Sequence, residues 1–248
     1  MKTSPTSQSH LNASSQALTL ATVSAGSSDG IDHVNNPHPR CPCAILMDTS
    51  SSMAGTPIGE AAKGLDQFFK EVAADSVASL RLETLVLGFG GDVREIVPFG
   101  QKVSVSCNEG LGLLADGDTP LGEAVTSAIK AIESRRSDYL ANNLGAYNPW
   151  LIILSDGYPT DTGWEQAADR LRLRAVDHGW NVISVAIGEN ANVGALQRFS
   201  RLKVQRLNGL RFAEFFSWLS DSLKIVSRSS TSAQNLAVPP TNSWSFNA

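Results

Sequence analysis

Oxygen-bearing side chains cluster where the first buried strand of the sequence ends. The apolar run Cys43–Met47 leads directly into Asp48-Thr49-Ser50-Ser51-Ser52, so a carboxylate and two hydroxyls recur at two-residue spacing in one short loop. Thr119 lies in a second loop just before a helix, and Asp156 ends a later buried strand. Hard cations such as Mg2+ prefer oxygen ligands in octahedral geometry. The sequence therefore predicts a site for Mg2+ or Mn2+ on Asp48, Ser50, Ser52, Thr119 and Asp156.

This donor set also predicts how the site is used. Two carboxylates balance the charge of a divalent cation, and five protein donors leave at least one coordination position open. An acidic side chain from another protein can fill that position. We therefore expect metal-dependent binding of a protein partner that supplies an acidic ligand.

Each part of the pattern also has an ordinary structural interpretation. Clusters of Ser and Asp often cap helices or build turns, Thr119 before Pro120 fits a helix N-cap, and Asp156-Gly157 fits a plain turn. The metal site is favoured because the three pieces occur in order, at successive loops of a predicted parallel sheet.

The elements that position these loops alternate between short apolar runs and amphipathic stretches. The predicted strands are Cys43–Met47, Leu80–Phe89, Val93–Phe99, Trp150–Leu154, Asn181–Ile187 and Lys203–Arg206. The predicted helices are Pro57–Ala74, Leu121–Arg136, Gly163–Asp177, Val193–Ser200 and Phe212–Val226. Apolar strands without alternation are typical of parallel sheets covered on both faces. The predicted fold is α/β: a doubly wound, mainly parallel central sheet flanked by helices, in a single domain whose ligands bind at the carboxyl ends of the strands.

Composition sets the domain boundaries and limits the partners. Residues 1–40 are rich in Ser, Thr, Asn and Pro without periodicity, which predicts a flexible extension; residues 41–228 form the predicted domain and residues 229–248 a C-terminal tail. The net charge of −4 disfavours sequence-independent binding to nucleic acid. No apolar run approaches the roughly 20 residues that span a bilayer. We expect a cytoplasmic protein with neither nucleic acid nor membrane as partner.

The three cysteines, Cys41, Cys43 and Cys107, do not predict a metal site of their own. An odd number argues against a fold held by disulfides. Cys41-Pro42-Cys43 resembles half of a metal site, but no second Cys or His cluster completes it. Buried or uninvolved thiols are expected.

The five oxygen donors resemble the metal-ion-dependent adhesion site of von Willebrand factor A domains. That family carries Asp-x-Ser-x-Ser, a distant Thr and a distant Asp-Gly, which correspond here to Asp48, Ser50, Ser52, Thr119 and Asp156. The resemblance implies that the serines and threonine contact the metal directly or through water. It also implies that the aspartates often act through water.

Longer segments are similar to the bacterial TerY subfamily, which is linked to tellurium resistance. They are Ala115–Gly122, Asn148–Leu151, Ser155–Asp161 and Phe212–Leu223, with the late Pro239-Pro240 and Trp244. The resemblance covers about residues 43 to 245. The sequence departs from that subfamily in its long N-terminal extension and at Ser155, where Thr is frequent. The resemblance implies an adaptor in a phosphorylation-linked stress response, beside a serine/threonine kinase and a PPM-type phosphatase.

Enzymatic motifs are incomplete or missing. Asp48 at a strand end is reminiscent of haloacid-dehalogenase phosphatases, but those require a second aspartate two positions later, where this chain has Ser50. A P-loop and a Gly-x-Ser-x-Gly elbow are absent, and Val93 stands where Gly88-Phe89-Gly90 would need its third glycine for a dinucleotide site. We therefore expect no enzyme. A metal-dependent phosphohydrolase and a scaffold with a vestigial metal site stay as alternatives.

Overall fold

A seven-stranded sheet forms the centre of the computed structural model, which describes residues 35–100, 113–232 and 238–247. The strands are β1 (Cys41–Asp48), β2 (Leu82–Gly90), β3 (Asp92–Val97), β4 (Trp150–Ser155), β5 (Asn181–Ala186), β6 (Gln205–Leu207) and β7 (Ser245–Asn247). Their order in the sheet is β3-β2-β1-β4-β5-β6-β7. The five inner strands run parallel, and β3 and β7 pair antiparallel at the two edges.

Helices cover both faces of this sheet. They are α1 (Thr56–Ala74), α2 (Ala78–Arg81), α3 (Leu121–Ala141), α4 (Trp164–Asp177), α5 (Val193–Phe199) and α6 (Phe212–Arg228), preceded by a 3-10 turn at Ser51–Met53. The apolar residues of α1 and α6 share one core with one face of the sheet, and those of α3, α4 and α5 share the core on the other face. The doubly wound α/β fold predicted from the sequence is confirmed.

Strand β1 shows why the chain adopts this arrangement. All eight of its residues are buried. Ile45 and Met47 pack into the core beneath α1 and α6, while Ala44 and Leu46 pack into the opposite core. A strand with both faces covered needs an apolar residue at every position, which explains the uninterrupted apolar run in the sequence.

The thiols of Cys41 and Cys43 are free and buried, as expected. Burial raises the pKa of Cys41 to about 12 and raises that of Cys43 as well. Neutral, enclosed thiols of this kind behave as small apolar side chains. Cys107 lies outside the described residues.

The bounds of several elements differ from the prediction for reasons of tertiary packing. Strand β2 begins at Leu82, because the residues just before it form α2. Helix α3 continues to Ala141, five residues past the predicted end at Arg136. The extra turns carry Tyr139, whose hydroxyl donates a 2.7 Å hydrogen bond to the buried carboxylate of Glu83.

The folded unit extends beyond residues 41–228 at both ends. The segment predicted as a C-terminal tail contains β7 and the fully buried Trp244, whose ring centroid lies 4.9 Å from that of Phe215. Before β1, the Asn36 amide donates a hydrogen bond of 2.7 Å to the carbonyl oxygen of Leu80. Aromatic burial and strand pairing hold the C-terminal segment on the domain, and the hydrogen bond of Asn36 holds the N-terminal one. Residues 1–34 of the predicted extension lie outside the described residues.

A charged cluster is enclosed at the amino ends of β1 and β2. Glu83 is fully buried, and its carboxylate lies 2.6 Å from Nε of Arg135 and 3.3 Å from Nε of Arg40. Burial lowers the pKa of Arg40 and raises that of Tyr139, although the Glu83 charge acts on Arg40 in the opposite direction. Buried charges are stable only when paired in this way.

Among the described helices, none is both long enough and apolar enough to cross a membrane.

Candidate metal centre

Asp48 is the last residue of β1 and forms the base of the site. Its carboxylate is fully buried. Oδ1 accepts hydrogen bonds from the Ser50 backbone N–H at 2.9 Å and from the Ser50 hydroxyl at 2.6 Å, and Oδ2 accepts one from the Ser155 hydroxyl at 2.6 Å. The Ser50 and Ser52 hydroxyl oxygens lie 3.0 Å apart. The structure thus links the first three predicted ligands in series, with Ser50 in contact with both Asp48 and Ser52.

The environment of Asp48 disfavours its charge. Burial raises the pKa of this carboxyl, against the effect of the hydrogen bonds from Ser155 and Ser50, and the nearby charge of Asp156 raises it further. In the part of the chain that the structure describes, no Lys or Arg forms an ion pair with Asp48. A buried carboxylate without a cationic neighbour is costly, so a bound cation would remove an unfavourable charge state.

Thr119 lies on a loop that forms backbone hydrogen bonds with the loop after Asp48. The Ser51 backbone N–H donates to the carbonyl of Gly117 at 3.0 Å, and the Asp116 N–H donates to the carbonyl of Thr49 at 2.8 Å. Gly90 permits this close approach, because a Cβ there would lie 2.1 Å from the Thr49 carbonyl oxygen. Thr119 itself is buried within this assembly of loops.

Asp156 follows β4, the parallel neighbour of β1. Its carbonyl accepts a 2.7 Å hydrogen bond from the Asn192 N–H, and its Oδ1 accepts a 3.3 Å bond from the Tyr158 N–H. Gly157 has a φ of 76°, and a Cβ at this position would lie 2.6 Å from the Asn192 carbonyl oxygen. Asp156 and Ser52 line the same pocket, so the loop after β4 borders the serine loop.

Two residues that the sequence analysis did not single out connect the Thr119 and Asp156 loops. The Thr119 N–H donates to the Thr160 hydroxyl, and the Thr160 N–H donates to the Thr119 carbonyl, each at 3.0 Å. The Asp161 carboxylate accepts from the Gly122 N–H at 3.2 Å and the Glu123 N–H at 2.9 Å. Helix α3 has no side-chain cap at its own N-cap residue, so Asp161 caps it from another loop.

Sequence signals for these supporting residues are weak. Thr160 and Asp161 belong to the segment Ser155–Asp161 that is similar to TerY, and Ser155 is a position at which the sequence departs from that subfamily. A hydroxyl and a carboxylate shortly after Asp156-Gly157 are the one local hint. Their partners lie about forty residues earlier in the chain, and for that reason spacing alone does not reveal them.

The donor types fit a hard divalent cation. The candidate ligands are two carboxylates and three hydroxyls, the oxygen donors that Mg2+ and Mn2+ accept. In residues 35–100, 113–232 and 238–247, no group of three or more His, Cys, Asp or Glu could hold a metal ion. Hydroxyl-rich coordination at the ends of β1 and β4 is therefore the arrangement to test.

Comparison with known families decides the classification. The sequence profile of the von Willebrand factor type A domain matches residues 44–214, which is more than half of the chain. The chain belongs to the von Willebrand factor type A family. The match includes Asp48, Ser50, Ser52, Thr119 and Asp156, and A domains often bind other proteins through a metal-ion-dependent adhesion site.

Solved structures share the fold of this A domain at low sequence identity. The vWF domain of the type V pili tip protein from Porphyromonas gingivalis has a TM-score of 0.58 at 9% identity, over 78% of this chain and 98% of that chain. The manganese-loaded TRAP protein of Plasmodium vivax has a TM-score of 0.52 at 16% identity, over 73% of each chain. Proximal thread matrix protein 1 from the mussel byssus has a TM-score of 0.54 at 17% identity, over 74% of this chain and 48% of that one.

This A domain therefore spans about half the length of the mussel protein. A search of curated proteins finds no match. At these identities, the solved structures are evidence for the fold alone.

Proposed function

We propose that this A domain is a metal-dependent protein-binding module. It holds Mg2+ or Mn2+ on Asp48, Ser50, Ser52, Thr119 and Asp156, and a partner's acidic side chain completes the coordination. The observation that carries this proposal is the state of Asp48: a fully buried carboxylate at a strand end, met by hydroxyl and amide donors, with two serine hydroxyls in contact beside it. Charge balance at such a carboxylate favours a cation.

The arrangement supports binding rather than catalysis. In a haloacid-dehalogenase mechanism, Asp48 would be the nucleophile and the residue two positions later the general acid. Here that residue is Ser50, whose hydroxyl donates to Asp48 and cannot act as a carboxylic acid. Of the described histidines, His38 precedes β1 and His178 precedes β5, so both lie near the amino ends of these strands, whereas Asp48 lies at the carboxyl end of β1. We therefore propose that the chain is not an enzyme, with a phosphohydrolase as the alternative to test.

We further propose that the domain acts as a TerY-like adaptor for a serine/threonine kinase or a PPM-type phosphatase. The support for this pathway is the motif resemblance over residues 115–122, 148–151 and 155–161. Two residues of the last segment, Thr160 and Asp161, bond to the Thr119 loop, so that motif contributes to the candidate site. Affinity capture from the native host, with and without chelator, tests the pathway. Loss of a kinase or phosphatase on chelation supports it, and its presence in both samples counts against it.

Calorimetric titration with Mg2+ tests the metal site. We expect the wild type to bind Mg2+ and Asp48→Ala to lose binding, with an unchanged far-ultraviolet circular dichroism spectrum. Asp177→Ala is the matched control, because Asp177 is exposed at the far end of α4. A ligand of the native state at one hundred times its Kd adds about 2.7 kcal/mol of stability, so saturating Mg2+ should raise the wild-type melting temperature by several degrees. Equal Mg2+ binding by wild type and Asp48→Ala refutes the site.

The catalytic alternative has its own measurement. Purified chain is incubated with p-nitrophenyl phosphate and Mg2+, and released nitrophenol is followed. Turnover that disappears in Asp48→Ala would establish the phosphohydrolase and refute the binding-only proposal.

A further inference from the structure

A pocket of about 260 Å3 borders the candidate metal centre on the side of β5. It shares Ser52 and Asp156 with the centre. The rest of its wall includes Met53, Pro57, Tyr158, Ile187 and Leu210. A group bound at the metal therefore has this pocket as its immediate neighbour.

The pocket is apolar and faces outward. Met53 and Ile187 are buried in its floor, while Tyr158 is 52% exposed and Leu210 is 38% exposed at its rim. The Tyr158 hydroxyl donates a 2.8 Å hydrogen bond to the Asn190 carbonyl, which fixes the ring beside the opening. The volume lies below the roughly 300–1,000 Å3 typical of small-molecule sites, so it suits one inserted side chain.

Exposed acidic side chains lie on both sides of the candidate metal centre. Asp116 and Asp118 belong to the loop that is bonded to Ser51, and Glu189 lies on the pocket wall. Within the described residues, none of these three carboxylates forms an ion pair. On the pocket side, Arg206 lies beside Glu189 and donates a hydrogen bond of 2.9 Å to its backbone carbonyl. The surface on the Asp116 and Asp118 side of the centre is therefore negative, and a complementary partner carries basic residues there.

We infer that the partner presents a segment in which one acidic side chain is accompanied by an adjacent apolar side chain of about leucine size and by basic residues. The acidic group binds at the metal, the apolar side chain enters the pocket lined by Met53, Ile187 and Leu210, and the basic residues face Asp116 and Asp118. This inference rests on the proposed function. It adds the chemistry that selects one acidic segment over another.

Three capped peptides probe the pocket directly. Two have the sequences Lys-Asp-Leu-Lys and Lys-Leu-Asp-Lys, which cover both directions of approach, and the third is Lys-Asp-Gly-Lys. Binding to the full chain is measured by nuclear magnetic resonance titration in Mg2+ and again after chelation. Burial of one leucine side chain should make one leucine peptide bind about tenfold more tightly than the glycine peptide.

Two variants test whether the preference for the leucine peptide arises at this pocket. Leu210→Ser should reduce the preference for leucine to less than about twofold. Leu173→Ser, at an exposed leucine of α4, is the matched control and should keep the full preference. A Mg2+ titration on each variant reports whether its metal centre is intact.

The outcomes separate the two proposals. If Mg2+ binds but the three peptides bind equally or not at all, the pocket inference is overturned and the metal site stands. The same holds if Leu210→Ser keeps the full preference. If Mg2+ does not bind to the wild type, the proposed function fails. A tenfold preference that survives chelation overturns the link between the pocket and the metal.

Discussion

Asp161 offers a test of how the loops of the candidate site are held together. Its carboxylate accepts two hydrogen bonds from the Gly122 and Glu123 backbone amides, at 3.2 and 2.9 Å. These amides belong to the first turn of α3, which follows Thr119 and has no other side-chain cap. Asp161→Ala removes both bonds and the negative charge at a helix N-terminus.

The expected loss can be worked from these contacts. Removing a helix cap costs about 0.5–2 kcal/mol, and a negative charge at an N-terminus contributes about 0.3–1 kcal/mol. Because Asp161 is partly exposed, we expect a total of about 1–2 kcal/mol in the free energy of unfolding. Thr119 is bonded to Thr160, the neighbour of Asp161, so a loosened loop should also weaken Mg2+ binding about tenfold.

Two measurements on metal-free and Mg2+-titrated protein separate these effects. Urea unfolding without metal reports the stability, and calorimetry reports the Mg2+ affinity. Asp161→Asn keeps one oxygen acceptor and should lie between the wild type and Asp161→Ala. Asp177→Ala serves as the control. A variant Asp161→Ala that loses stability yet binds Mg2+ as tightly as Asp177→Ala would refute the positioning of Thr119 by this loop.

Two further predictions concern charges away from the candidate site. Glu83→Gln leaves Arg40 and Arg135 without their buried carboxylate, so it should lower the free energy of unfolding by about 3–5 kcal/mol in urea titrations. The pKa of Asp75 is lowered: burial acts to raise it, but hydrogen bonds from two backbone amides at the start of α2 and from Arg228 outweigh burial. A lowered native pKa stabilises the fold above the unfolded value of about 3.9, and this stability is lost as the pH falls through the native pKa. Asp75→Asn should therefore lose less stability than the wild type between pH 5 and pH 3.

Controls for both changes come from exposed side chains. Glu95→Gln on the edge strand β3 should change stability by less than about 0.5 kcal/mol. A loss below 1 kcal/mol in Glu83→Gln would contradict the view that the buried arginines depend on this carboxylate. For Asp75, a variant whose acid sensitivity equals that of Asp177→Asn would show that the ionised carboxylate of Asp75 does not contribute to stability.

The regular elements were predictable because each is encoded by a local pattern. Helix α1 was expected at Pro57–Ala74 and is found at Thr56–Ala74. Its apolar spacing matches the face that packs in the core, and Pro57 suits the first turn. The parallel sheet followed in the same way from strands such as β1, in which no position is polar until Asp48.

Contacts between distant segments explain what was missed in the fold. The sequence predicts Glu83 only as part of a strand, because its partners Arg135 and Tyr139 lie more than fifty residues further along the chain. The short strand β7 has little pattern of its own and forms only because β6 presents a free edge. Such pairings depend on the assembled fold, so local periodicity does not predict them.

In the candidate site, too, local patterns were predictable and contacts between distant segments were not. The five oxygen donors were predicted by residue type and spacing. Asp48, Ser50, Ser52 and Asp156 lie at or after the carboxyl ends of the neighbouring parallel strands β1 and β4, and Thr119 lies on the loop before α3. Their supports Ser155, Thr160 and Asp161 look like ordinary turn residues until the fold pairs them. The prediction that all five donors share one cation is untouched by this and depends on the Mg2+ titration.

The charge on Asp48 links folding to metal and partner binding. Its raised pKa means that the native state disfavours the ionised carboxyl relative to the unfolded chain, so the metal-free domain carries this charge at the expense of stability. On the proposed function, a cation at Asp48 removes that penalty and offsets the negative potential of Asp116 and Asp118. A partner's acidic group would meet repulsion at this surface without the cation. Chelation should therefore release the partner completely. It removes the cation to which the partner's acidic group binds, and it restores the repulsion between that group and the negative surface.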